Sequence, residues 1–170
     1  TEVLNDSDNN ILFEGAQGLE LDPDLGDYPF VTSSSSLPGM INTCGVPLKA
    51  IEEVIGVAKV YETYVGKKLF EPYDPVFQTL RTLGGEYGAT TGRPRQCNWL
   101  NLDRLNRAAY ISGATKVILN KTDILEKLGI FKLIHDGEIR EFGSLDEFEF
   151  YIQKCGPRAS LVFSGDPEGI

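Results

Sequence analysis

Lys116-Val117-Ile118-Leu119-Asn120-Lys121-Thr122-Asp123 decides the fold. An apolar run of strand length passes directly into a polar Asn-Lys-x-Asp pattern, and open α/β sheets bind ligands at the carboxyl ends of their strands. There the pattern suits a purine base. The Lys121 stem lies over a ring, and the Asp123 carboxylate accepts from the adjacent N–H groups of guanine. The same residues also read as a helix start with Asp123 near its cap, and the residues alone leave both readings open.

Upstream, Ile11 to Phe13 is expected as a short buried strand entering Glu14-Gly15-Ala16-Gln17-Gly18. Residues 19 to 47 carry much Gly, Pro and Ser, including Ser33 to Ser36. Tyr28, Phe30 and Val31 argue for an ordered loop there, and so long a connection is usually functional. Pro47 followed by Ile51, Val54, Ile55 and Ala58 predicts a helix with a one-sided apolar stripe. Val60 to Val65 reads as a strand ending at Gly66, and residues 67 to 87 as a mixed segment.

Downstream, Leu102 to Ile111 reads as a helix with Leu102, Leu105 and Ala109 inward, closed by Gly113. Ile130 to His135 and Glu138 to Phe142 form a hairpin around Asp136-Gly137. Ser144 with Glu147 is a capping box opening a helix to about Lys154. Leu161 to Phe163 is a last strand before Ser164-Gly165-Asp166-Pro167. Strands alternating with helices define the class as α/β.

Gly88-Ala89-Thr90-Thr91-Gly92-Arg93-Pro94-Arg95 sets two guanidinium groups beside two hydroxyls and a glycine. Guanidinium groups grip carboxylates and phosphates through a fixed fork, and Pro94 stiffens the path between them. A solvated Arg-Pro-Arg turn paired to surface acids is the simpler alternative. The net charge of −9 makes local basic chemistry a small-molecule feature and speaks against nucleic acid. Cys44, Cys97 and Cys155 are too few and too scattered for a disulfide framework or zinc knuckle. No apolar run reaches membrane-spanning length and no start resembles a signal peptide, so a cytoplasmic setting without membrane binding is expected. His135, on a hairpin strand, is expected to be structural or exposed. No phosphate loop, metal cluster or nucleophile elbow occurs, so catalytic and metal-ligating residues are expected to be absent. The only Met is Met40, and the polar start Thr1 to Asn10 reads as a loop whose preceding part lies outside this chain.

Phe13-Glu14-Gly15-Ala16-Gln17-Gly18, Leu21-Asp22 and Gly26-Asp27-Tyr28-Pro29-Phe30-Val31-Thr32-Ser33-Ser34 resemble the nucleotide-binding middle of adenylosuccinate synthetases. Gly88 to Arg93 resembles that family's aspartate loop, and Lys121-x-Asp123 its triphosphate-base motif. The resemblance implies that residues 1–170 are the C-terminal half of one catalytic domain, in a larger P-loop-related fold with a mostly parallel sheet. Within it, 11–46 would hold the purine nucleotide, 47–100 the helix, strand and aspartate loop, and 101–170 the triphosphate base, with the hairpin at 130–142. Gln17, Thr32, Val65, Gly66 and Arg93 would contact the purine monophosphate. Thr90, Thr91, Arg93 and Arg95 would hold aspartate, and Lys121, Asp123 and Gly165 would frame the triphosphate's base. The implied partners are those small molecules, a missing N-terminal half carrying the phosphate loop and catalytic groups, and a second copy in a homodimer. Mg²⁺ is the implied cofactor.

Departures from the ordinary pattern point to a branch. Tyr64 replaces an arginine, Lys67-Lys68-Leu69-Phe70 replaces a Gly-Pro-Phe-Pro-like run, Pro94 and Gln96 interrupt the arginines, and Phe163 replaces a serine. These resemble the phage-type synthases that make 2-aminoadenylosuccinate from dGMP with ATP or dATP, which is the favoured expectation. An ordinary synthetase acting on IMP with GTP, suited by Asp123, and a non-catalytic nucleotide-binding module are the alternatives.

Overall fold

The computed structural model describes residues 10–165; the polar lead at 1–9 and Asp166-Pro167 lie outside the described residues. The chain divides after Val54 into two units. In the first, the only regular pieces among the described residues are short 3-10 turns at Leu19–Leu21, Pro38–Cys44 and Leu48–Ala50. The strand expected at Ile11 to Phe13 does not form, because no strand of the described residues pairs with it, and Leu12 is 83% exposed. The aromatics do not order the long loop either, since Tyr28 is 80% exposed. Asp22 does. Its buried carboxylate accepts from the N–H groups of Asp24 (3.0 Å), Leu25 (3.3 Å) and Ser36 (2.9 Å) and from the Ser35 hydroxyl (2.9 Å). The Ser36 N–H bond leads the interactions that hold this carboxyl below the usual aspartate range.

The second unit contains the folded core. Strands β1 (Ile55–Lys59), β4 (Lys116–Asn120) and β7 (Ser160–Ser164) form a parallel sheet in the order β1-β4-β7. Strands β2 (Tyr61–Tyr64), β3 (Gln96–Asn101), β5 (Phe131–His135) and β6 (Glu138–Phe142) form a second, mixed sheet in the order β2-β3-β5-β6. Its β3–β5 pair is parallel and its outer pairs are antiparallel. Helices α1 (Val76–Gly84), α2 (Leu102–Ser112), α3 (Thr122–Leu128) and α4 (Leu145–Cys155) complete it. The α/β class holds.

The helix expected after Pro47 is replaced by the turn at Leu48–Ala50 and then β1. Gly56 costs a helix about 1 kcal/mol relative to alanine, whereas β1 gains a full parallel register with β4 from Ile55↔Lys116 to Lys59↔Asn120. The mixed segment conceals α1. Asp74 Oδ1 accepts from the Val76 N–H at 2.9 Å to start it, and Gly85, at φ 64°, ends it in the left-handed conformation. Phe77 and Leu80 from this helix are buried with Trp99, Leu119, Leu125 and Phe148, and the Phe77 and Trp99 rings lie 5.0 Å apart.

The other local signals fold as expected. Asn101 Oδ1 accepts from the Arg104 N–H at 3.0 Å to cap α2. Ser144 Oγ accepts from the Glu147 N–H at 3.2 Å, while Glu147 reaches back to the Gly143 N–H at 2.8 Å. Asp136 and Gly137, at φ 55° and 75°, make the primed hairpin turn. One face of the parallel sheet packs on the core through Val117, Leu119, Leu161 and Phe163. The other carries Val57, Ile118 and Val162 side by side, with Val57 67% exposed. No helix of the described residues is long and apolar enough to cross a membrane.

Candidate functional site

The parallel register places Lys59, Asn120 and Ser164 in one row at the carboxyl edge of the sheet, where the sequence pattern locates a ligand site. Lys121 follows in the left-handed conformation, φ 71°, which an L side chain adopts only at a cost. Its ammonium donates to the Gly84 carbonyl at the end of α1, 3.2 Å away. Asp123 sits in the first turn of α3. Its Oδ2 accepts from Lys127 at 2.8 Å, while its Oδ1 and Asn120 Oδ1 are buried with no partner among the described residues. Buried polar atoms in native proteins are almost always paired, so such exceptions call for an explanation. Gly165 closes on this pair: a Cβ there would stand 2.9 Å from Asp123 Cβ and 3.0 Å from Thr122 Oγ1. The structure therefore gathers Lys121, Asp123 and Gly165 at one place.

Thr90, Thr91, Arg93 and Arg95 share one loop, pinched by a bridge between Tyr87 and Pro94. The Gly88 N–H donates to the Arg93 carbonyl at 2.9 Å, and the Gly92 N–H to the Gly88 carbonyl at 2.8 Å. Thr90, Thr91 and Arg93 are exposed at its tip. Arg95 is different. Its guanidinium NH1 donates to Glu86 Oε2 at 3.0 Å, and Glu86 is only 2% exposed.

Glu86 accepts from more than Arg95. Lys59 Nζ donates to both of its oxygens at 2.7 Å, and the Tyr61 hydroxyl donates to Oε1 at 2.7 Å. Burial raises this carboxyl's pKa, but the bonds from Lys59 and Tyr61 outweigh burial and leave it below the ordinary glutamate value. Burial pulls the Lys59 ammonium below its usual range, against the Glu86 bond and with help from the like charges of Arg95 and Lys121. The chain path closes around this point. A Cβ on Gly84 would run into the Tyr61 hydroxyl and stand 3.2 Å from Glu86 Cγ, so the close packing at the end of α1 favours glycine.

Arg81 fixes the other side of Arg95. Its Nε donates to the Arg95 carbonyl at 2.6 Å, and its NH2 pairs closely with Glu71. Glu71 in turn accepts from the Cys97 N–H at 2.7 Å. Gln96 joins the arginine loop to the Val65-Gly66 turn, donating to the Gly66 and Lys68 carbonyls at 3.1 and 2.7 Å. Its amide oxygen accepts from the Phe70 N–H at 3.0 Å. Val65 is 56% exposed and Gly66 has φ 156°. Sequence reading did not single out Glu86, Lys59, Tyr61 or Arg81, and it noted Gln96 only as a break in the run of arginines. Only the placement of Glu86 directly before the glycine-rich loop hinted at any of them.

In the first unit, Gln17 is exposed at φ 63°, a left-handed conformation on a bare loop. Thr32 is half-buried, its N–H donating to the Leu21 carbonyl at 2.7 Å. Elsewhere, Asp103, His135 and Asp136 offer ligand atoms within 4.8 Å of one another. His135 Nδ1 lies 2.8 Å from the Tyr151 hydroxyl, and Asp103 Oδ2 accepts from the Asp136 N–H at 2.9 Å. These contacts pin the hairpin turn to α2 and α4.

Together, fold and site define an α/β domain with an anchored cationic cluster and, at the carboxyl edge of a parallel sheet, a carboxylate oxygen without a partner among the described residues. The family model described as adenylosuccinate synthetase matches residues 2–148, and the chain belongs to that family. It is 49% identical over 158 residues to the adenylosuccinate synthetase of Picrophilus torridus, covering 90% of this chain and 36% of that protein. It is 43% identical over 157 residues to the enzyme of Helicobacter pylori strain Shi470, covering 90% and 38%. The chain thus spans about a third of the length of these relatives. Among solved structures, the fully ligated adenylosuccinate synthetase of Plasmodium falciparum superposes with a TM-score of 0.67 at 38% identity, over 77% of this chain and 33% of that one.

The expected phage-type branch is overturned. The cyanophage S-2L succinoaminodeoxyadenylate synthetase, bound to dGMP and dATP, superposes with a TM-score of 0.52 at 21% identity, over 82% of this chain and 48% of that one. That likeness shows the fold alone. The departures have local packing reasons instead. Tyr64 packs at a tilt against Phe70 with ring centroids 5.7 Å apart, Gln96 ties down the 66–70 turn, Pro94 makes the bridge to Tyr87, and Phe163 packs on the core.

Proposed function

We propose that this chain supplies the substrate-holding part of a synthetase that joins L-aspartate to C6 of IMP at the expense of GTP. The γ-phosphoryl group moves to the 6-oxygen. The aspartate amine then attacks C6, the C6–O bond breaks, phosphate leaves, and the nitrogen gives up a proton. Arg95 and Arg93, with Thr90 and Thr91, take the aspartate carboxylates. Val65, Gly66 and Arg93 hold the purine monophosphate, the ligand to which the family resemblance also assigns Gln17 and Thr32 of the first unit. Lys121, Asp123 and Gly165 frame the guanine, and no proton-transfer group is assigned within this chain. A homodimer fits the proposal.

The observation that carries this reading is Asp123 Oδ1, buried and without a partner among the described residues. It sits beside Gly165, where a Cβ would stand 2.9 Å from Asp123 Cβ, and a carboxylate there suits the two adjacent N–H donors of guanine better than adenine, which offers one amino group beside a ring-nitrogen lone pair. The name of the relatives, adenylosuccinate synthetase, supports adenylosuccinate as the product and hence IMP over dGMP as the nucleotide. Magnesium would neutralise charge on the triphosphate during transfer. Asp103, His135 and Asp136 do not fit it: a nitrogen ligand and two exposed carboxylates at a hairpin turn are a poor match to its all-oxygen octahedron. No step is assigned to the ion. The test is turnover by the intact protein supplied with IMP, GTP, aspartate and Mg²⁺, read as aspartate-dependent GDP release and formation of the succinyl purine nucleotide. Turnover with dGMP and ATP but not with IMP and GTP would overturn the substrate assignment.

A further inference from the structure

We propose that Glu86 is the positioning residue of the arginine loop, holding Arg95 by one nitrogen so that the rest of its fork stays free for a substrate carboxylate. The inference rests on the reading of this loop as the aspartate site. A lone buried carboxylate beside an arginine closes into a two-pronged pair, which would consume the guanidinium. Here that closure is blocked. Lys59 occupies both oxygens of Glu86, Tyr61 adds a bond to Oε1, and Arg95 is left with Oε2 through NH1 alone.

The same arrangement settles the charge. Lys59 lies among Arg95 and Lys121 with Glu86 as its counter-ion, so the cluster keeps an excess of positive charge suited to a ligand with two carboxylates. The Arg95 backbone is held at both flanks, its N–H donating to the Glu86 carbonyl at 3.0 Å and its carbonyl accepting from Arg81 Nε at 2.6 Å. With the backbone fixed, the side chain's direction is set by what grips its tip. That grip is Glu86.

The experiment is steady-state kinetics of the intact protein with IMP, GTP and aspartate. Glu86→Gln is expected to raise the aspartate KM about tenfold or more, with the IMP and GTP KM values within about twofold and kcat within about threefold. Lys59→Met frees Glu86 to close on Arg95, and is expected to raise the aspartate KM about three- to tenfold without moving the nucleotide KM values. A purely structural role would lower the active fraction, and hence kcat, without singling out one substrate. Aspartate KM values within about twofold of the parent in both variants, while Arg95→Ala raises it, would overturn the positioning role and leave the aspartate reading standing. An unchanged aspartate KM in Arg95→Ala would overturn the aspartate reading itself. If Glu86→Gln does not fold, Lys59→Met and Tyr61→Phe decide the matter by the same readout.

Discussion

Glu86 and Arg95 are joined twice across the neck of the glycine-rich loop. The Arg95 N–H donates to the Glu86 carbonyl at 3.0 Å, and Arg95 NH1 donates to Glu86 Oε2 at 3.0 Å. The loop between them is therefore closed at its base by backbone and side chain together, which leaves its exposed tip at Thr90, Thr91 and Arg93 and the rest of the Arg95 fork to meet a ligand.

Removing Arg95 should be felt by one substrate. A charged hydrogen bond contributes about 1.5–3 kcal/mol, so Arg95→Ala is expected to raise the aspartate KM about 10- to 150-fold, with far smaller changes for IMP and GTP. Initial-rate measurements with each substrate varied in turn check this.

The fit at the end of α1 gives a prediction opposite in sign to helix propensity. Alanine is normally better than glycine in a helix by about 1 kcal/mol. At Gly84 the added methyl meets the Tyr61 hydroxyl and the Glu86 side chain, and overpacking of this kind costs about 1–3 kcal/mol. Gly84→Ala is expected to lower stability in urea unfolding; a stabilised variant would show that the contact yields easily.

Acid should unload the same cluster. The folded-state pKa of Glu86 is depressed, so its stabilising contribution is fully present above the ordinary glutamate pKa of about 4.3 and fades as pH falls through the lower folded value. The stability gap between the parent and Glu86→Gln should be largest at neutral pH and should shrink on acidification below about pH 4. A gap that stays constant to pH 3 would mean that the ionised carboxylate is not what stabilises the site.

Thiol chemistry should follow burial. Cys44 is exposed, whereas Cys97 is buried and its thiol is pushed up to about 11 by desolvation. Alkylation at pH 8 is expected to mark Cys44 quickly and leave Cys97 untouched until the protein unfolds. Peptide mapping by mass spectrometry reads this directly.

Much of the second unit was legible because its signals are local. Asp136-Gly137, Ser144 with Glu147, and Gly113 each act on the few residues around them, and each does in the structure what its chemistry requires. The stripe Ile51, Val54, Ile55 and Ala58 misled because it satisfies helical spacing, while the parallel register with β4, some sixty residues away, decides the outcome. Helix α1 was hidden among prolines and paired glycines that also read as loop. The residues proposed to hold ligands carry their chemistry in their own side chains, so Arg95 and Asp123 stand out in the sequence. Glu86 matters through burial and partners from β1, β2 and the residue just before β3, and no neighbour in sequence records that.

The aliphatic row of Val57, Ile118 and Val162, exposed at Val57 and Val162 and half-buried at Ile118, has a practical consequence. Parallel sheets are normally covered on both faces, and an uncovered aliphatic strip makes proteins adhere to one another. Handled alone at high concentration, this chain is expected to scatter light and to bind a hydrophobic dye through that strip. A lysine in place of Val57 offers a simple route to a well-behaved sample that leaves the opposite, core-facing side of the sheet untouched.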